Sequence, residues 1–251
     1  MKRAIIFLIL VFLSPFCGYA DDLTVAGAAN VQFPLEELKR EFEKDTPIKL
    51  ELIIGSSGKL AAQIENGAPF DIFLSADMEY PQAIYKKNLS YEKPRIYAYG
   101  TLVLWSFKNI DLSKGIKILA DDSIKKIALP NPKTAPYGRE AMKVLKKYHL
   151  YQAVQKNLVF GESIAQSNQF ISSQAADIGF TAKSAVLAQN SQGKGRWIEI
   201  DPQLYNPIAQ GVVILKYAEK HNQKAARQFY DFLFSAKAQA ILKKYGYTLL
   251  P

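Results

Sequence analysis

The sequence predicts an α/β protein of two lobes, in which each lobe has a mostly parallel sheet flanked by helices and hinge strands join the two. Three observations predict this fold class. Short apolar runs alternate with amphipathic segments from residue 23 onward, the alternation restarts after a long apolar run at 95–106, and a further apolar run follows at 209–216. Such alternation is typical of parallel strands connected by covering helices.

The first set of elements has the order strand, helix, strand, helix, strand. Its strands are predicted at 23–29, 48–55 and 70–76, and its helices at 34–44 and 59–66. In the first helix, Leu35, Leu38 and Phe42 recur three and four residues apart, which puts them on one face of an amphipathic helix. A chain of this order can bind ligands at the carboxyl ends of its parallel strands.

The second set repeats the order. Its strands are predicted at 125–132, 157–162 and 176–182, and its helices at 138–149 and 163–173. The run RIYAYGTLVLWS at 95–106 is long for one strand, so we expect it to cross between lobes, and the strand at 209–216 to cross back. We therefore assign 21–99 plus 209–251 to lobe I and 100–208 to lobe II. One large sheet is the alternative.

The carboxyl-terminal stretch NQKAARQFYDFLFSAKAQAILKKYG carries apolar residues at helical spacing. It predicts one or two helices that pack on Phe229, Leu233, Ala240 and Ile241. Gly246 follows the last turn and is expected to cap it, because glycine readily adopts the left-handed conformation that ends many helices.

The chain begins with the features of a secretory signal peptide. Two basic residues precede an apolar run at 4–13 that is too short to span a bilayer comfortably. The small residues Gly18 and Ala20 predict cleavage after Ala20, so we expect residues 1–20 to be removed and the protein to reach the periplasm. An uncleaved membrane anchor is the alternative.

The composition argues against several kinds of site. The chain has 251 residues, a net charge of +9 and one cysteine, Cys17, which lies in the predicted signal peptide. We therefore expect the exported chain to have no disulfide, thiol nucleophile or thiolate metal site. Its lysines are dispersed, which favours a solvated surface over a nucleic-acid partner.

Four loops share one arrangement, in which a predicted strand ends in small or hydroxyl-bearing residues and a helix begins. They lie at 26–34, 55–60, 131–140 and 161–166. The first turn of each helix leaves N–H groups unpaired and carries a partial positive charge, so four such turns that face one another across a cleft form an anion site. The candidate ligands in these loops are neutral, and we expect Lys59 and Arg139 to point to solvent.

Neutral donors select an anion by its charge state and its size. They stabilise a fully ionised oxyanion through hydrogen bonds, and they reject a protonated oxyanion when no acceptor lies nearby. Molybdate, tungstate and sulfate are tetrahedral dianions that suit such a site. Phosphate is protonated near neutral pH and needs an acceptor.

Two other motifs overlap the second loop. Ser56 and Lys59 match the S-x-x-K pattern of penicillin-recognising serine enzymes, but the accompanying motifs are incomplete and out of order. The stretch GSSGK at 55–59 lacks the spacing of a phosphate-binding P-loop. An exported serine enzyme that uses Ser56 and Lys59 stays an alternative. Because no nucleophile, base and orienting residue can be assembled, we expect a protein that is not an enzyme.

Six stretches carry a resemblance to a known family. They are LTVAGAAN, GSSGKLAAQIENGAPFDIFLSAD, ALPNPKTAPYGREAM, GESIAQ, DIGFTAKS and AQAILKKYGY. The sequence resembles the periplasmic molybdate-binding proteins of ABC transporters, which have the type II periplasmic-binding-protein fold. The resemblance implies capture of molybdate, usually tungstate too, and delivery to a membrane permease, without catalysis or a cofactor. We expect a monomer, and another oxyanion such as sulfate is the alternative ligand.

The resemblance also implies which residues bind the oxyanion. The implied ligands are Ala29, Asn30, Ser57, Tyr137, Ile164 and Thr181. Ala29 and Ile164 contribute backbone groups. Some family members have a tyrosine hydroxyl where this chain has the shorter Thr181, and Tyr137 can supply that hydroxyl from the opposite loop. The oxyanion is bound through its oxygens, with no direct ligand to the metal atom.

Overall fold

Two five-stranded sheets form the framework of the protein. The computed structural model describes residues 22–190 and 195–249, and the predicted signal peptide lies outside them. The first sheet contains β1 (Asp22–Ala28), β2 (Lys49–Gly55), β3 (Ile72–Ser75), β4 (Arg95–Gly100) and β10 (Ile208–Ile214). The second sheet contains β5 (Leu102–Ser106), β6 (Ile127–Pro130), β7 (Leu158–Gly161), β8 (Ile178–Ala182) and β9 (Arg196–Glu199).

The two sheets repeat the same pattern of strand directions. In the first sheet, of order β2-β1-β3-β10-β4, β1 is parallel to β2 and β3, whereas β10 is antiparallel to β3 and β4. In the second, of order β7-β6-β8-β5-β9, β6 is parallel to β7 and β8, whereas β5 is antiparallel to β8 and β9. One strand of each sheet is therefore reversed, and the predicted two-lobed fold of mostly parallel sheets is confirmed.

The chain crosses between the sheets where the sequence predicts that it should. The apolar run at 95–106 divides at Thr101 into β4 of the first sheet and β5 of the second. Strand β10 then brings the chain back to the first sheet. These crossings exclude one large sheet. The predicted boundaries of the lobes, at 99/100 and 208/209, stay a prediction.

Helices cover both sheets. The α-helices of the described residues are α1 (Gln32–Asp45), α2 (Ser57–Glu65), α3 (Glu79–Lys86), α4 (Pro136–Lys147), α5 (Tyr151–Val154), α6 (Ile164–Ser172), α7 (Lys183–Asn190), α8 (Lys216–His221), α9 (Gln223–Leu233) and α10 (Ala236–Lys244). Short 3₁₀ helices include Ala29–Val31, directly after β1. In the described part of the chain, no helix combines the length and apolar character needed to cross a membrane.

The apolar face of α1 packs as predicted. Leu35, Leu38 and Phe42 are buried in the core beside the first sheet. The ring of Phe42 meets the ring of Phe229 edge to face, with 5.2 Å between centroids, so α1 and α9 share this core.

The prediction that Ala240 packs in the core at the carboxyl end is wrong. Ala240 is exposed, and α10 buries Ala238, Ile241 and Leu242 instead, because these three positions share the inward face of a helix that begins at Ala236. Gly246 has a φ of 77°, and its N–H donates to the carbonyl of Lys243, which confirms the predicted cap.

Three helices, α1, α2 and α4, begin two residues earlier than predicted, and the last two bear on the predicted ligands. Helix α2 starts at Ser57, and α4 starts at Pro136, where a missing N–H removes no helical hydrogen bond. Ser57 and Tyr137 therefore lie in first helical turns, and their backbone N–H groups have no carbonyl four residues earlier in the same helix.

Gly138 allows α4 to approach strand β6 closely. A Cβ atom on Gly138 would lie 2.0 Å from the carbonyl oxygen of Pro130 and 2.8 Å from its carbonyl carbon. Both atoms belong to the backbone, which cannot rotate away as a flexible side chain can. The small residue thus fixes the position of the first turn of α4.

We predict that Gly138→Ala destabilises the protein by about 1–3 kcal/mol, because α4 must shift to relieve the overlap. Urea unfolding of both proteins measures the difference. Lys146→Ala, on the exposed side of the same helix, is the matched control and should change the free energy of unfolding by less than about 0.5 kcal/mol. Equal stability of Gly138→Ala and wild type would contradict the close approach.

Candidate functional site

A small cavity lies where loops of the two sheets meet. The loops that line it follow β1, β2 and β3 of the first sheet and β6 and β7 of the second. The lining residues are Ala28, Ala29, Asn30, Ser56, Ser57, Ala76, Ala135, Pro136, Tyr137 and Ile164. The cavity has a volume of about 10 Å³, close to what one water molecule needs. A larger solute therefore requires the walls to move apart.

The structure brings together five of the six predicted ligand residues. Ala29, Asn30, Ser57, Tyr137 and Ile164 all line the cavity. They come from the four predicted strand-to-helix loops, two in each half of the molecule.

Thr181 is the predicted ligand that does not line the cavity. It is fully buried in β8, where it pairs with Val103 of β5, and its hydroxyl donates to the side-chain oxygen of Asn168. The single hydrogen of the Thr181 hydroxyl is therefore already donated to Asn168. The structure gives no contact between Thr181 and the cavity.

The first turns of three α-helices lie at the cavity. Ser57, Tyr137 and Ile164 lie in the first turns of α2, α4 and α6, where amides have no intrahelical acceptor and the helix dipole is positive. The 3₁₀ turn Ala29–Val31 begins at the same cavity. The site therefore concentrates hydrogen-bond donors.

Three hydroxyl groups add to these donors. The hydroxyls of Ser56 and Tyr137 are buried without a hydrogen-bond partner. The hydroxyl of Ser57 accepts a hydrogen bond of 3.0 Å from the amide of Ala76, so its own hydrogen stays available. A buried polar group without a partner costs about 1–3 kcal/mol, and an acceptor in the cavity would remove that cost.

Tyr137 stays a neutral donor. Burial raises the pKa of its phenol well above the usual value, the nearby phenols of Tyr247 and Tyr205 raise it further, and the Asn30 side chain opposes this rise. Tyr247 is also fully buried, and burial raises its pKa as well. Both phenols therefore keep their protons at physiological pH.

Among the residues that the structure describes, no charged side chain lines the cavity. Lys59 is exposed, as expected, whereas the expectation that Arg139 points to solvent is wrong because that side chain is mostly buried. Each of the two also forms an ion pair across the cleft. Arg139 contacts the carboxylates of Asp77 and Glu79, and Lys59 contacts the carboxylate of Glu162. The sequence could not predict these pairs, since their members are brought together by the approach of two lobes.

Further hydrogen bonds join the two halves around the cavity. The amide of Gly58 donates to the carbonyl of Thr134 at 2.9 Å, and the hydroxyl of Ser184 donates to the carbonyl of Asn30 at 2.6 Å. Together with the ion pairs, these contacts hold the lobes in a closed arrangement.

Burial and a neighbouring positive charge shift the pKa of Asp77 in opposite directions. Burial raises the pKa of Asp77 above its ordinary value, and the guanidinium of Arg139 opposes that rise. The Arg139 side chain is 25 % exposed, whereas that of Lys59 is 50 % exposed. The Arg139 cluster is therefore less screened by solvent than the Lys59 pair.

The geometry does not favour a serine nucleophile. The hydroxyl of Ser56 has no hydrogen-bond partner, so Lys59 does not act on it, and the Lys59 ammonium is bound to Glu162. A nucleophilic serine needs a base within hydrogen-bond reach. Within 22–190 and 195–249, no three or more His, Cys, Asp or Glu side chains form a group suited to a metal ion.

Sequence reasoning missed the residues behind Asn30. Gln210, Ser184 and Tyr247 form hydrogen bonds with Asn30, and all three are buried. Gln210 had a sequence signal, because a glutamine inside the apolar run AQGVVILK is unusual for a buried strand. Ser184 and Tyr247 had no comparable signal.

Comparisons with known proteins agree with this architecture. The chain is 38 % identical over 231 residues to the molybdate-binding protein ModA of Azotobacter vinelandii, and the match covers 92 % of this chain and 91 % of that protein. It is 34 % identical over 230 residues to ModA of Rhodobacter capsulatus, with 91 % and 89 % covered.

A solved structure and a family model extend the comparison. The fold superposes on the periplasmic molybdate-binding protein of Azotobacter vinelandii with a TM-score of 0.86 and 34 % sequence identity, and the match covers 91 % of this chain and all of that chain. The family model for bacterial extracellular solute-binding proteins matches residues 23–248. This chain therefore belongs to the family of bacterial extracellular solute-binding proteins.

Proposed function

We propose that the protein captures molybdate, and tungstate with it, in the cleft between its lobes and delivers the anion to the permease of an ABC transporter. One observation carries the proposal: the cavity offers unpartnered hydroxyls and first-turn amides, and no charged side chain lines it. The names of the two relatives above supply the identity of the anion, since the geometry alone fits any small tetrahedral dianion.

The physical basis of the proposed binding is a match between the hydrogen-bond donors of the cavity and a fully ionised anion. Each oxygen of a tetrahedral dianion accepts hydrogen bonds, and donors fixed in a low-dielectric cleft stabilise it more than water-exposed donors would. The first-turn dipoles add favourable potential without a counter-ion. Phosphate differs because its remaining proton needs an acceptor.

The proposed ligand set comprises five residues. They are Ala29, Asn30, Ser57, Tyr137 and Ile164. We leave Thr181 out of the set because its hydroxyl is engaged by Asn168 away from the cavity. The anion is held through its oxygens, with no direct ligand to its metal atom and no cofactor.

Capture also needs export and movement. We propose that residues 1–20 are a cleaved signal peptide and that the mature protein works in the periplasm as a monomer that performs no catalysis. The cavity is close to the size of one water molecule, so the lobes must separate for the anion to enter and close again around it.

We predict tight one-to-one binding of molybdate and of tungstate to the mature protein after removal of bound anions, and no measurable binding of phosphate at neutral pH. Isothermal titration calorimetry measures each anion in turn. Binding of sulfate without molybdate would assign the site to a different oxyanion. A protein that binds none of the four anions would overturn the proposal.

We predict that Ser57→Ala weakens molybdate binding by about 10–150-fold, which corresponds to the about 1.5–3 kcal/mol of a hydrogen bond to a charged group. The same titration measures the change. Thr181→Val keeps the side-chain shape and is the matched comparison, because its lost hydroxyl lies away from the cavity. An equal loss of affinity in both variants would show that this ligand set is wrong.

A further inference from the structure

A buried glutamine lies directly behind the candidate site. Gln210 is fully buried at the start of β10, where the chain has just returned to the first sheet. Its side chain contacts Asn30 of the loop after β1 and the carbonyl of Ala76 in the loop after β3. Both loops line the cavity, so one side chain links two walls of the site.

The hydrogen bonds fix the orientation of this glutamine. Its Nε2 donates to the carbonyl of Ile208 at 2.9 Å and to that of Ala76 at 3.2 Å. Carbonyl oxygens only accept, so Nε2 must face them and Oε1 must face the opposite way. Oε1 then accepts a hydrogen bond of 2.7 Å from Nδ2 of Asn30.

Hydrogen bonds also fix the orientation of the Asn30 side chain. Its Nδ2 also donates to the Tyr247 hydroxyl at 2.9 Å, and that hydroxyl lies 2.9 Å from the backbone carbonyl of Asn30, to which it donates. Nδ2 carries two hydrogens, and both are therefore in use. The side chain of Asn30 has no N–H group left for an anion, and Oδ1, an acceptor, is its remaining polar atom.

This arrangement changes the expected role of Asn30. An acceptor does not stabilise an anion, so the first loop contributes the backbone amides of its 3₁₀ turn, and the side chain serves to anchor that turn. The Tyr137 hydroxyl lies close to the same cluster, since a Cβ on Gly100 would meet both that hydroxyl and Nε2 of Gln210.

We propose that Gln210 is a positioning residue for anion binding, which acts through Asn30 by holding its amide away from the cavity and so fixing the backbone amides of the first loop. The inference rests on the proposed function, because its effect is on the affinity for the anion. Gln210 itself does not line the cavity.

A double-mutant cycle on molybdate affinity tests the coupling. Gln210→Met keeps the length of the side chain and removes both hydrogen-bonding groups, and Asn30→Ala removes the anchored amide. We expect each single variant to bind about tenfold more weakly, and the double variant to bind no more weakly than Asn30→Ala, because residues that act as one unit are not additive. Additive losses would overturn the inference.

Val213→Ala controls for general loss of stability. Val213 is buried in the same strand and packs in a separate apolar cluster. Urea unfolding should show that this variant is destabilised, while calorimetry should show molybdate affinity within about twofold of wild type. If Val213→Ala weakens binding as much as Gln210→Met does, the effect comes from stability and the positioning role is wrong.

Gln210→Glu gives a second readout that a purely structural role would not produce. A protonated glutamic acid has one O–H donor and one acceptor oxygen, so it can restore one of the two donated hydrogen bonds and the accepted one, whereas the ionised form has no donor for either carbonyl. Burial favours the neutral acid. The ratio of variant to wild-type molybdate affinity should therefore rise as the pH falls from 8 to 6, and a pH-independent ratio would contradict the proposal.

The wild-type titration separates the two claims. If the wild type binds molybdate and Gln210→Met binds it with unchanged affinity, only the positioning role is overturned. Wild type that binds no molybdate overturns the proposed function and the inference together.

Discussion

First-turn amides that lack an acceptor dominate the architecture of the cleft. An α-helix cannot satisfy the N–H groups of its first turn, and here three α-helices and a 3₁₀ turn begin at one cavity. The parallel strands cause this, because their carboxyl ends lie at one edge of each sheet and the helices start there. Two such edges that face each other produce a cavity rich in hydrogen-bond donors. A single bound acceptor can satisfy several of these donors at once.

The charged residues lie around this cavity in compensated pairs. Arg139 binds Asp77 and Glu79 across the cleft, and Lys59 binds Glu162. The potential inside the cavity therefore comes chiefly from backbone dipoles and hydroxyls. The same pairs resist separation of the lobes, and the less exposed Arg139 cluster is expected to resist it more, because exposed pairs contribute little. Entry of an anion has to overcome these contacts, and burial of its charge against the donors favours closure again.

Local pattern predicted much of the fold, and long-range packing accounts for what it missed. The strands, the crossing at 95–106 and the four loops follow from apolar periodicity and turn residues, which are properties of neighbouring positions. The prediction that Ala240 is buried fails because the inward face of α10 depends on where that helix begins. The family resemblance implies Thr181 as a ligand, but its hydroxyl donates to Asn168 of α6, a partner distant in sequence pattern and set by packing. Gln210 and Asn30 are 180 residues apart, so no local pattern could join them.

A crystal structure of the mature protein with molybdate bound would test whether neutral donors alone hold the anion. The account predicts that the oxygens of molybdate lie about 2.7–3.1 Å from first-turn amides of both lobes and from the Ser57 hydroxyl. It also predicts that Lys59 and Arg139 stay paired with their carboxylates. A lysine or arginine in direct contact with the anion, or an anion bound outside this cavity, would contradict it.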